Sequence, residues 1–240
     1  MTEKITKPRF EEAVGLTAMN LDGGLTFNAQ GVGPLDFAGL RGVDYGQGFR
    51  MPTMPELVSL VHASLENKNI KTAKLVVDTL RQYWLSGNTG VRWIPNEGMY
   101  LQDNPELIDG RVFMDEKVLR DKLSRDDNGI SYSGDKSVRF VPYGFKVESQ
   151  SSLDLTKNRG IIALVNGEEN AEQLAKASQH YRKNPWFYAF GNVDSPQTRV
   201  AVLSSDDLDG RLRVKAYGDE DFDSWYSFRG TSVVAKMRSV

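Results

Sequence analysis

The sequence predicts an α+β fold, because helical and strand-like segments alternate irregularly along the chain. Several segments carry apolar residues at helical spacing, and short strand-like runs separated by turn residues lie between them. No regular strand and helix repeat of the kind that builds a parallel sheet is present. With 240 residues, 40% hydrophobic and 26% charged, the chain can bury a substantial core. We therefore expect a single domain over residues 1–240.

Two consecutive segments predict the core helices. In "GQGFRMPTMPELVSLVHASLEN", Thr53 is a suitable N-cap and Pro55 suits the first helical turn. A second helix is predicted from about Ile70 to Leu85, with Trp84 on its apolar stripe and Gly87 placed to end it. We expect both helices to pack on one sheet.

The rest of the chain predicts short elements joined by loops. The glycine-rich first fifty residues predict short strands, "GVRWIPNEGMYLQDNP" a strand followed by an irregular loop, and "MDEKVLRDKLSRDD" a short helix. "KSVRFVPYGF" has strand character, and the apolar run "RGIIALV" predicts a strand buried on both faces. "NGEENAEQLAKASQHYRKNP" predicts an amphipathic helix whose apolar stripe reaches Tyr181 and which Pro185 ends. "RVAVLSS", "RLRVKAY" and "WYSFRG" predict three strands, with Asp209-Gly210 as a hairpin turn between the first two.

Composition excludes several classes of function. The formal net charge of -2 provides no overall field for nucleic acid or anionic lipid, so neither is an expected partner. No apolar run approaches the roughly 18 residues of a membrane span, and "MTEKITKPRFEEAVG" lacks the apolar core of a secretory signal, so we expect a cytoplasmic protein. The absence of cysteine excludes disulfides, thiol catalysis and cysteine-ligated zinc.

Motifs for catalysis or metal binding are weak. The two histidines, His62 and His180, fall on predicted helices, and no nucleophile elbow, phosphate-binding loop or zinc-protease motif is present. We therefore expect no enzyme and no cofactor. "SSDDLDGRLRVKA" resembles a calcium loop, but its first and twelfth ligand positions are Ser205 and Ala216, which excludes that geometry. A looser carboxylate site around Asp219 and Glu220 stays open beside the alternative of a solvated acidic loop.

Aromatic residues are concentrated in two runs near the C-terminus. "NPWFYAFGNVD" and "DFDSWYSF" each contain four aromatic side chains, and the segment between them carries arginine, lysine and aspartate. In a sheet, about half of such aromatics face the core and the other half face solvent. Exposed aromatics beside arginine and aspartate are typical of a protein-recognition surface.

The stretch "GFRMPTMPELVSLVHASL" is similar to the R-x-P-T-x-x-E segment of the formylglycine-generating-enzyme branch of the C-type lectin fold. Arg50, Pro52, Thr53 and Glu56 stand at the matching positions. Further on, "WLSGNTGVRWIPNEGMYLQDNP", "VRFVPYGFK", "IIALVNGEENAEQLAKASQHYR" and "NVDSPQTRVA" resemble variable proteins of archaeal diversity-generating retroelements. The resemblance covers most of the chain from Phe49 onward. It implies a C-type-lectin-like fold with two core helices on short antiparallel sheets and long irregular loops.

The resemblance also implies a function. In that family a reverse transcriptase copies a template with errors at adenines, and the altered copy replaces part of the gene for a ligand-binding protein. The implied variable region is 184–230, with "NVDSPQTRVA" as scaffold. The candidate ligand-binding residues are Phe187, Tyr188, Phe190, Gly191, Val202, Ser204, Asp207, Arg211, Arg213, Lys215, Tyr217, Asp219, Asp221, Asp223, Trp225 and Arg229.

The expected ligand is a macromolecule, most simply a protein, bound without metal. Two alternatives stay open. One is a calcium-dependent carbohydrate-binding lectin that uses Asp219, Asp221 and Asp223, and the other is a lectin-fold enzyme. Because the chain has no cysteine, the copper-dependent oxidase chemistry of the formylglycine branch does not carry over to such an enzyme.

Overall fold

The computed structural model of the chain describes residues 9–13, 16–21, 25–46, 49–188, 194–206, 210–218 and 230–237. Helices and strands are interspersed over this part of the chain, as the sequence predicts. The helices are α1 (Phe37–Gly42), α2 (Met54–Glu66), α3 (Lys71–Gln82), α4 (Glu116–Lys122), α5 (Ser152–Leu155), α6 (Arg159–Leu164) and α7 (Glu168–Ser178). None of these helices combines the length and the apolar composition that a membrane span requires.

Most strands belong to one large sheet. Its main path runs in the order β1-β2-β3-β16-β5-β14-β15-β13-β12, and a branch through β6, β11, β10 and β9 extends from β5, while β7 and β8 form a separate hairpin. The strands are β1 (Arg9–Ala13), β2 (Leu16–Leu21), β3 (Leu25–Leu35), β4 (Phe49–Arg50), β5 (Trp84–Ile94), β6 (Gly98–Asp103), β7 (Glu106–Ile108), β8 (Arg111–Phe113), β9 (Leu123–Asp127), β10 (Ile130–Ser133), β11 (Val138–Pro142), β12 (Glu148–Ser149), β13 (Trp186–Tyr188), β14 (Gln197–Asp206), β15 (Arg211–Gly218) and β16 (Gly230–Met237).

The R-x-P-T-x-x-E segment forms the start of α2. Thr53 is the N-cap, as predicted, and its backbone N–H donates a hydrogen bond of 2.7 Å to the Glu56 carboxylate. The Arg50 guanidinium forms a two-point contact with the same carboxylate, with Nη1 donating to Oε2 at 2.8 Å. Glu56 therefore satisfies a free N–H group of the first helical turn and also ties the helix to β4.

The second core helix ends earlier than its sequence predicts. Helix α3 ends at Gln82, and Trp84 and Leu85 already begin β5. The predicted helical stripe through Trp84 and the role of Gly87 as a helix stop are therefore wrong. Tyr83 is in an extended conformation, so the chain passes from helix to strand within one residue.

The run "RGIIALV" is helical, which contradicts the predicted strand. Helix α6 begins after Asn158, whose side chain accepts hydrogen bonds from the N–H groups of Gly160 and Ile161. Ile161 and Leu164 are buried in the core. The apolar run thus forms a short helix that is surrounded by core residues. Apolar composition alone does not distinguish a buried helix from a buried strand.

Other predicted boundaries are partly right. The predicted loop after the first central strand is partly wrong, because β6 lies in it, while α4, α7 and β11 confirm the helix and strand predictions for their segments. Helix α7 ends at Ser178, so the prediction that it continues to Pro185 is wrong. The first fifty residues contain strands, as predicted, together with the short helix α1. The segment "WYSFRG" lies outside the described residues except for Gly230, which begins β16.

The main core lies between the sheet and the helices α2, α3, α6 and α7. Leu57 and Leu60 of α2 and Leu80 of α3 meet Leu203 of β14 and Leu212 of β15, and all five side chains are fully buried. Burial of each contributes about 1.5–3 kcal/mol. The prediction that the first two core helices pack on one sheet is confirmed.

A second, smaller core lies on the opposite face of the sheet. We call the elements that form it, α1, α4 and the β7–β8 hairpin, the outer layer. Val112 and Met114 of this layer pack against Val200 of β14. A Cβ at Gly90 of β5 would lie 2.7 Å from the Met114 sulfur and 3.2 Å from a Val112 methyl. Glycine at position 90 thus permits the close approach of the outer layer to the sheet.

Candidate ligand-binding surface

Strands β14 and β15 form an antiparallel hairpin. The strands pair in antiparallel register from Arg199 opposite Gly218 to Asp206 opposite Arg211. Gly210 has a φ of 61°, a left-handed conformation that glycine adopts readily in a hairpin turn. The predicted hairpin between the two strands is therefore confirmed, whereas Asp209 of the predicted turn lies outside the described residues.

Strand β15 alternates strictly between core and surface. Leu212, Val214 and Ala216 are at most 4% exposed and belong to the main core. Because successive side chains of a strand point to opposite faces, the intervening residues lie on the face away from the helices. These residues are Arg211, Arg213, Lys215 and Tyr217, and all are partly exposed.

Strand β13 adds aromatic residues to the same face. It pairs with β15 in parallel, with Trp186 opposite Arg213 and Tyr188 opposite Lys215. Trp186 is partly exposed and Tyr188 is 36% exposed, whereas Phe187 between them is 1% exposed in the core. The alternation of β15 thus continues in its neighbour.

Trp84 of β5 completes this surface from a distant part of the chain. Its ring stacks on Tyr217 with 4.1 Å between ring centroids and an angle of 18° between the planes. The Lys215 ammonium lies 5.5 Å from each of these two rings and donates a hydrogen bond of 3.0 Å to the Tyr217 hydroxyl. Arg211 lies 5.6 Å from the Trp186 ring. We call Trp84, Trp186, Tyr188, Arg211, Arg213, Lys215 and Tyr217 the cationic–aromatic face.

This face has the chemistry of a protein-binding surface. Stacked aromatic rings offer large contact areas with little side-chain freedom to lose. Guanidinium and ammonium groups above the rings are held by cation–π attraction of about 0.5–1 kcal/mol at exposed sites. The ring contacts therefore help to orient these cations before any ligand arrives.

Three candidate residues are not surface residues. Phe187 is 1% exposed, Val202 1% and Ser204 4%, so the prediction that they contact a ligand at the surface is wrong. Phe187 faces the main core. Val202 and Ser204 lie on the central strand β14, where Lys215 and Arg213 of β15 are their register partners. The side chains of Val202 and Ser204 are short, and the longer side chains of their neighbours on β15 limit their access to solvent.

The other candidate residues fall into two groups. Tyr188, Arg211, Arg213, Lys215 and Tyr217 lie together on the cationic–aromatic face, and their role in binding stays a prediction. The remaining candidates lie outside the described residues: Phe190, Gly191, Asp207, Asp219, Asp221, Asp223, Trp225 and Arg229.

Sequence reasoning missed Trp84. Its position in an apolar helical pattern predicted a buried helix residue, whereas it begins the strand β5. The sequence offers little local signal for the start of this strand, because the run Trp84-Leu85-Ser86-Gly87-Asn88 shows no alternation of large apolar and polar residues. The glycines at positions 87 and 90 of β5 weaken the strand signal further, because glycine disfavours strands.

The two histidines lie in the helical layer, away from the cationic–aromatic face. His180 Nε2 and Glu66 Oε1 are 2.9 Å apart, and this hydrogen bond lowers the pKa of the Glu66 carboxyl. Burial lowers the pKa of His62. No group of three or more histidine, aspartate or glutamate residues suited to a metal ion occurs within the described residues.

A groove adjoins the cationic–aromatic face. It has a volume of about 610 Å³ and lies between the outer layer and the sheet. Arg92 of β5 and Thr198 of β14 form its sheet side, and Phe113, Lys117 and Arg120 are among the residues on the side of the outer layer. Arg92 Nη1 donates a hydrogen bond of 3.0 Å to the Thr198 hydroxyl.

The sheet, its helical layer and its hairpins define a protein of the C-type lectin fold, which confirms the predicted fold. A solved structure from Nanoarchaeota, in which the C-type lectin fold accommodates massive sequence variation, is similar to this chain with a TM-score of 0.51. The two chains are 18% identical, and the similarity covers 95% of this chain and 100% of that chain. At this identity the similarity establishes the shared fold. The sequence matches no protein-family model and no curated protein.

Proposed function

We propose that this chain is the variable protein of a diversity-generating retroelement and binds a macromolecular ligand, a protein, without catalysing a reaction. The binding surface is the cationic–aromatic face together with the candidate residues of region 184–230 that lie outside the described residues. Variation at adenines in the gene changes the exposed residues, while the lectin-like scaffold stays constant.

The separation of two side-chain sets on β15 carries this proposal. Leu212 and Val214 support the core, whereas Arg213 and Lys215 alternate with them on the other face. Surface substitutions usually change stability by about 0.5 kcal/mol or less, whereas loss of a buried leucine costs about 2–5 kcal/mol. A strand with this pattern tolerates repeated replacement of every second residue. Such tolerance is what a diversified binding protein requires.

The structural comparison supports the proposal indirectly. The Nanoarchaeota protein combines massive sequence variation with the same fold. A hairpin of paired strands holds its outward residues in a fixed arrangement, because its backbone hydrogen bonds do not depend on the identity of those side chains. The fold is therefore physically suited to such variation.

The deciding experiment is to sequence the genomic locus in several isolates. We expect a reverse-transcriptase gene nearby and a near-copy of the sequence that encodes region 184–230. Differences between the two copies should occur at adenines of the template and should fall on codons such as those of Arg211, Arg213 and Tyr217. Codons for Leu212 and Val214 serve as the internal control and should stay constant. Absence of the near-copy, or equal variation in both sets of codons, would contradict the proposal.

A further inference from the structure

The groove beside the cationic–aromatic face contains an unbalanced positive charge. Four charged groups of the outer layer line it: Asp115, Glu116, Lys117 and Arg120. The Asp115 carboxylate accepts a hydrogen bond of 2.9 Å from the Val118 N–H at the start of α4. Asp115 is thus the N-cap of α4, and Glu116 lies in the first turn of the same helix.

Arg120 is already paired with two carboxylates. It contacts Glu116 at 2.7 Å and also Glu97 at 3.3 Å. Lys117 is exposed and has no carboxylate partner among the described residues. The remaining cation of the groove is Arg92, on the sheet side.

Arg92 is a partly buried cation without a counter-ion. Within the described part of the chain, its hydrogen-bond partner is the neutral Thr198 hydroxyl, and its Nε is buried without a partner. Partial burial of a guanidinium without an opposite charge is costly, and a carboxylate is the group that best complements its planar donors. The sheet side of the groove therefore favours an anion.

Beside its charged groups, the opposite wall of the groove also presents apolar side chains. Phe113 is 45% exposed, whereas the neighbouring Val112 and Met114 are buried at 7% and 3% exposure. A ligand segment that fits both sides of the groove therefore has a carboxylate side chain next to an apolar side chain.

The groove continues the cationic–aromatic face. Tyr217 pairs with Val200 on β14, and Thr198 lies two residues along the same strand, on the same face, opposite Arg92. Two residues of a strand span about 7 Å. A folded protein that rests on the cationic–aromatic face can therefore extend a side chain into the groove.

We propose that this groove is a fixed subsite for an acidic side chain, Asp or Glu, flanked by an apolar residue of the protein ligand. Arg92 and Lys117 bind the carboxylate, and Phe113 contacts the apolar neighbour. The proposal rests on the proposed function, since it names a feature of the ligand bound at that surface. Residues outside region 184–230 then provide a common anchor, while the diversified residues provide selectivity.

The test titrates the ¹⁵N-labelled full chain with short peptides and follows amide chemical shifts. The probes are acetyl-Glu-Phe-amide, acetyl-Gln-Phe-amide and acetyl-Gln-Phe with a free carboxyl terminus. We expect the Glu peptide to shift the amide signals of Arg92, Lys117 and Thr198. We expect acetyl-Gln-Phe-amide to bind at least about tenfold more weakly, because its side chain cannot form the charge-assisted hydrogen bonds of the Glu carboxylate. Equal binding of these two peptides overturns the proposal, and binding of only the free-carboxyl peptide overturns the side-chain assignment.

Variants separate the subsite from general charge effects. Lys117→Gln should weaken binding of the Glu peptide several-fold, whereas Lys122→Gln, which removes the same charge at the end of α4, should leave it unchanged. Arg92→Gln should abolish binding, and Arg92→Lys should retain part of it. Equal effects of the two lysine variants would contradict the proposal even where the Arg92 variants fail to fold. The genomic test does not depend on the groove, so either proposal can fail alone.

Discussion

Arg139 has its whole side chain buried, and this single residue joins several elements of the fold. It forms a two-point ion pair with Asp103, with Nη2 and Oδ1 3.0 Å apart, and donates to the backbone carbonyl of Lys136. The Thr89 hydroxyl donates to Asp103 at 2.6 Å and accepts from the Met54 N–H at 2.9 Å. One continuous network thus links β11, β6 and β5 to the start of α2.

Removal of one partner of this pair should destabilise the protein strongly. Asp103→Ala leaves the Arg139 charge buried and unpaired, and we expect a loss of about 3–5 kcal/mol in the free energy of unfolding. Lys74→Ala removes an exposed ion pair with Asp78 and is the control, with an expected change of about 0.5 kcal/mol or less. Urea unfolding measures both. A loss below about 1 kcal/mol for Asp103→Ala would contradict a structural role of the pair.

The stability of the folded protein should depend on pH through the Asp135 carboxyl. Hydrogen bonds from the Ser133 hydroxyl and from the Ser137 N–H and hydroxyl lower the pKa of this carboxyl from 3.8 to about 2. The pKa of this carboxyl is lower in the folded state than in the unfolded state. The carboxylate therefore stabilises the folded protein above pH 3.8, and this stabilisation is lost as the pH falls towards about 2.

The variant Asp135→Asn tests this dependence. It should be less stable than the native chain at pH 7, and the difference should shrink as the pH falls through the same window, because the amide does not titrate. Urea unfolding at several pH values measures the difference. The exposed residue Asp121 offers the control Asp121→Asn, for which we expect a smaller difference at pH 7. A pH-independent difference for Asp135→Asn would contradict the prediction.

Within single elements, the sequence predicts amphipathic helices better than short buried ones. Helix α2 follows from Thr53 and its apolar stripe, because a half-buried helix shows its period in the sequence. Helix α6 was predicted as a strand, since burial around its circumference removes that period. The end of α3 at Gln82 was missed because Trp84 continues the helical spacing although the chain has become extended.

Adjacent residues of β13 should differ sharply in their contribution to stability. Phe187 is 1% exposed in the main core, whereas Tyr188 is 36% exposed on the cationic–aromatic face. We expect Phe187→Ala to lower the free energy of unfolding by about 3–5 kcal/mol. Tyr188→Ala should change it by about 1 kcal/mol or less. Thermal or urea unfolding of this matched pair measures the contrast, and similar losses would show that the strand does not divide into a core side and a surface side.

At the scale of the whole molecule, the alternation of β15 could be predicted from the sequence, but the surroundings of this strand could not. The pattern of Leu212 and Val214 with Arg213 and Lys215 identifies the two faces of β15 without a structure. The burial of Val202 depends on the position of β14 between β5 and β15, and the place of Trp84 depends on strand pairing over more than a hundred residues. Such long-range pairing leaves no local pattern in the sequence.

The proposed function and the calcium-dependent alternative predict different behaviour of the whole molecule. Binding of calcium to the folded state at about 100 times its Kd would raise the free energy of unfolding by about 2.7 kcal/mol. We expect calcium and a chelator to give the same melting temperature, because the proposed surface uses cations and aromatic rings of the chain itself. The replacement of Asp219, Asp221 and Asp223 by asparagine is the matched variant. A rise in melting temperature with calcium that this variant abolishes, together with calcium-dependent binding on a glycan array, would favour the lectin alternative over a protein ligand.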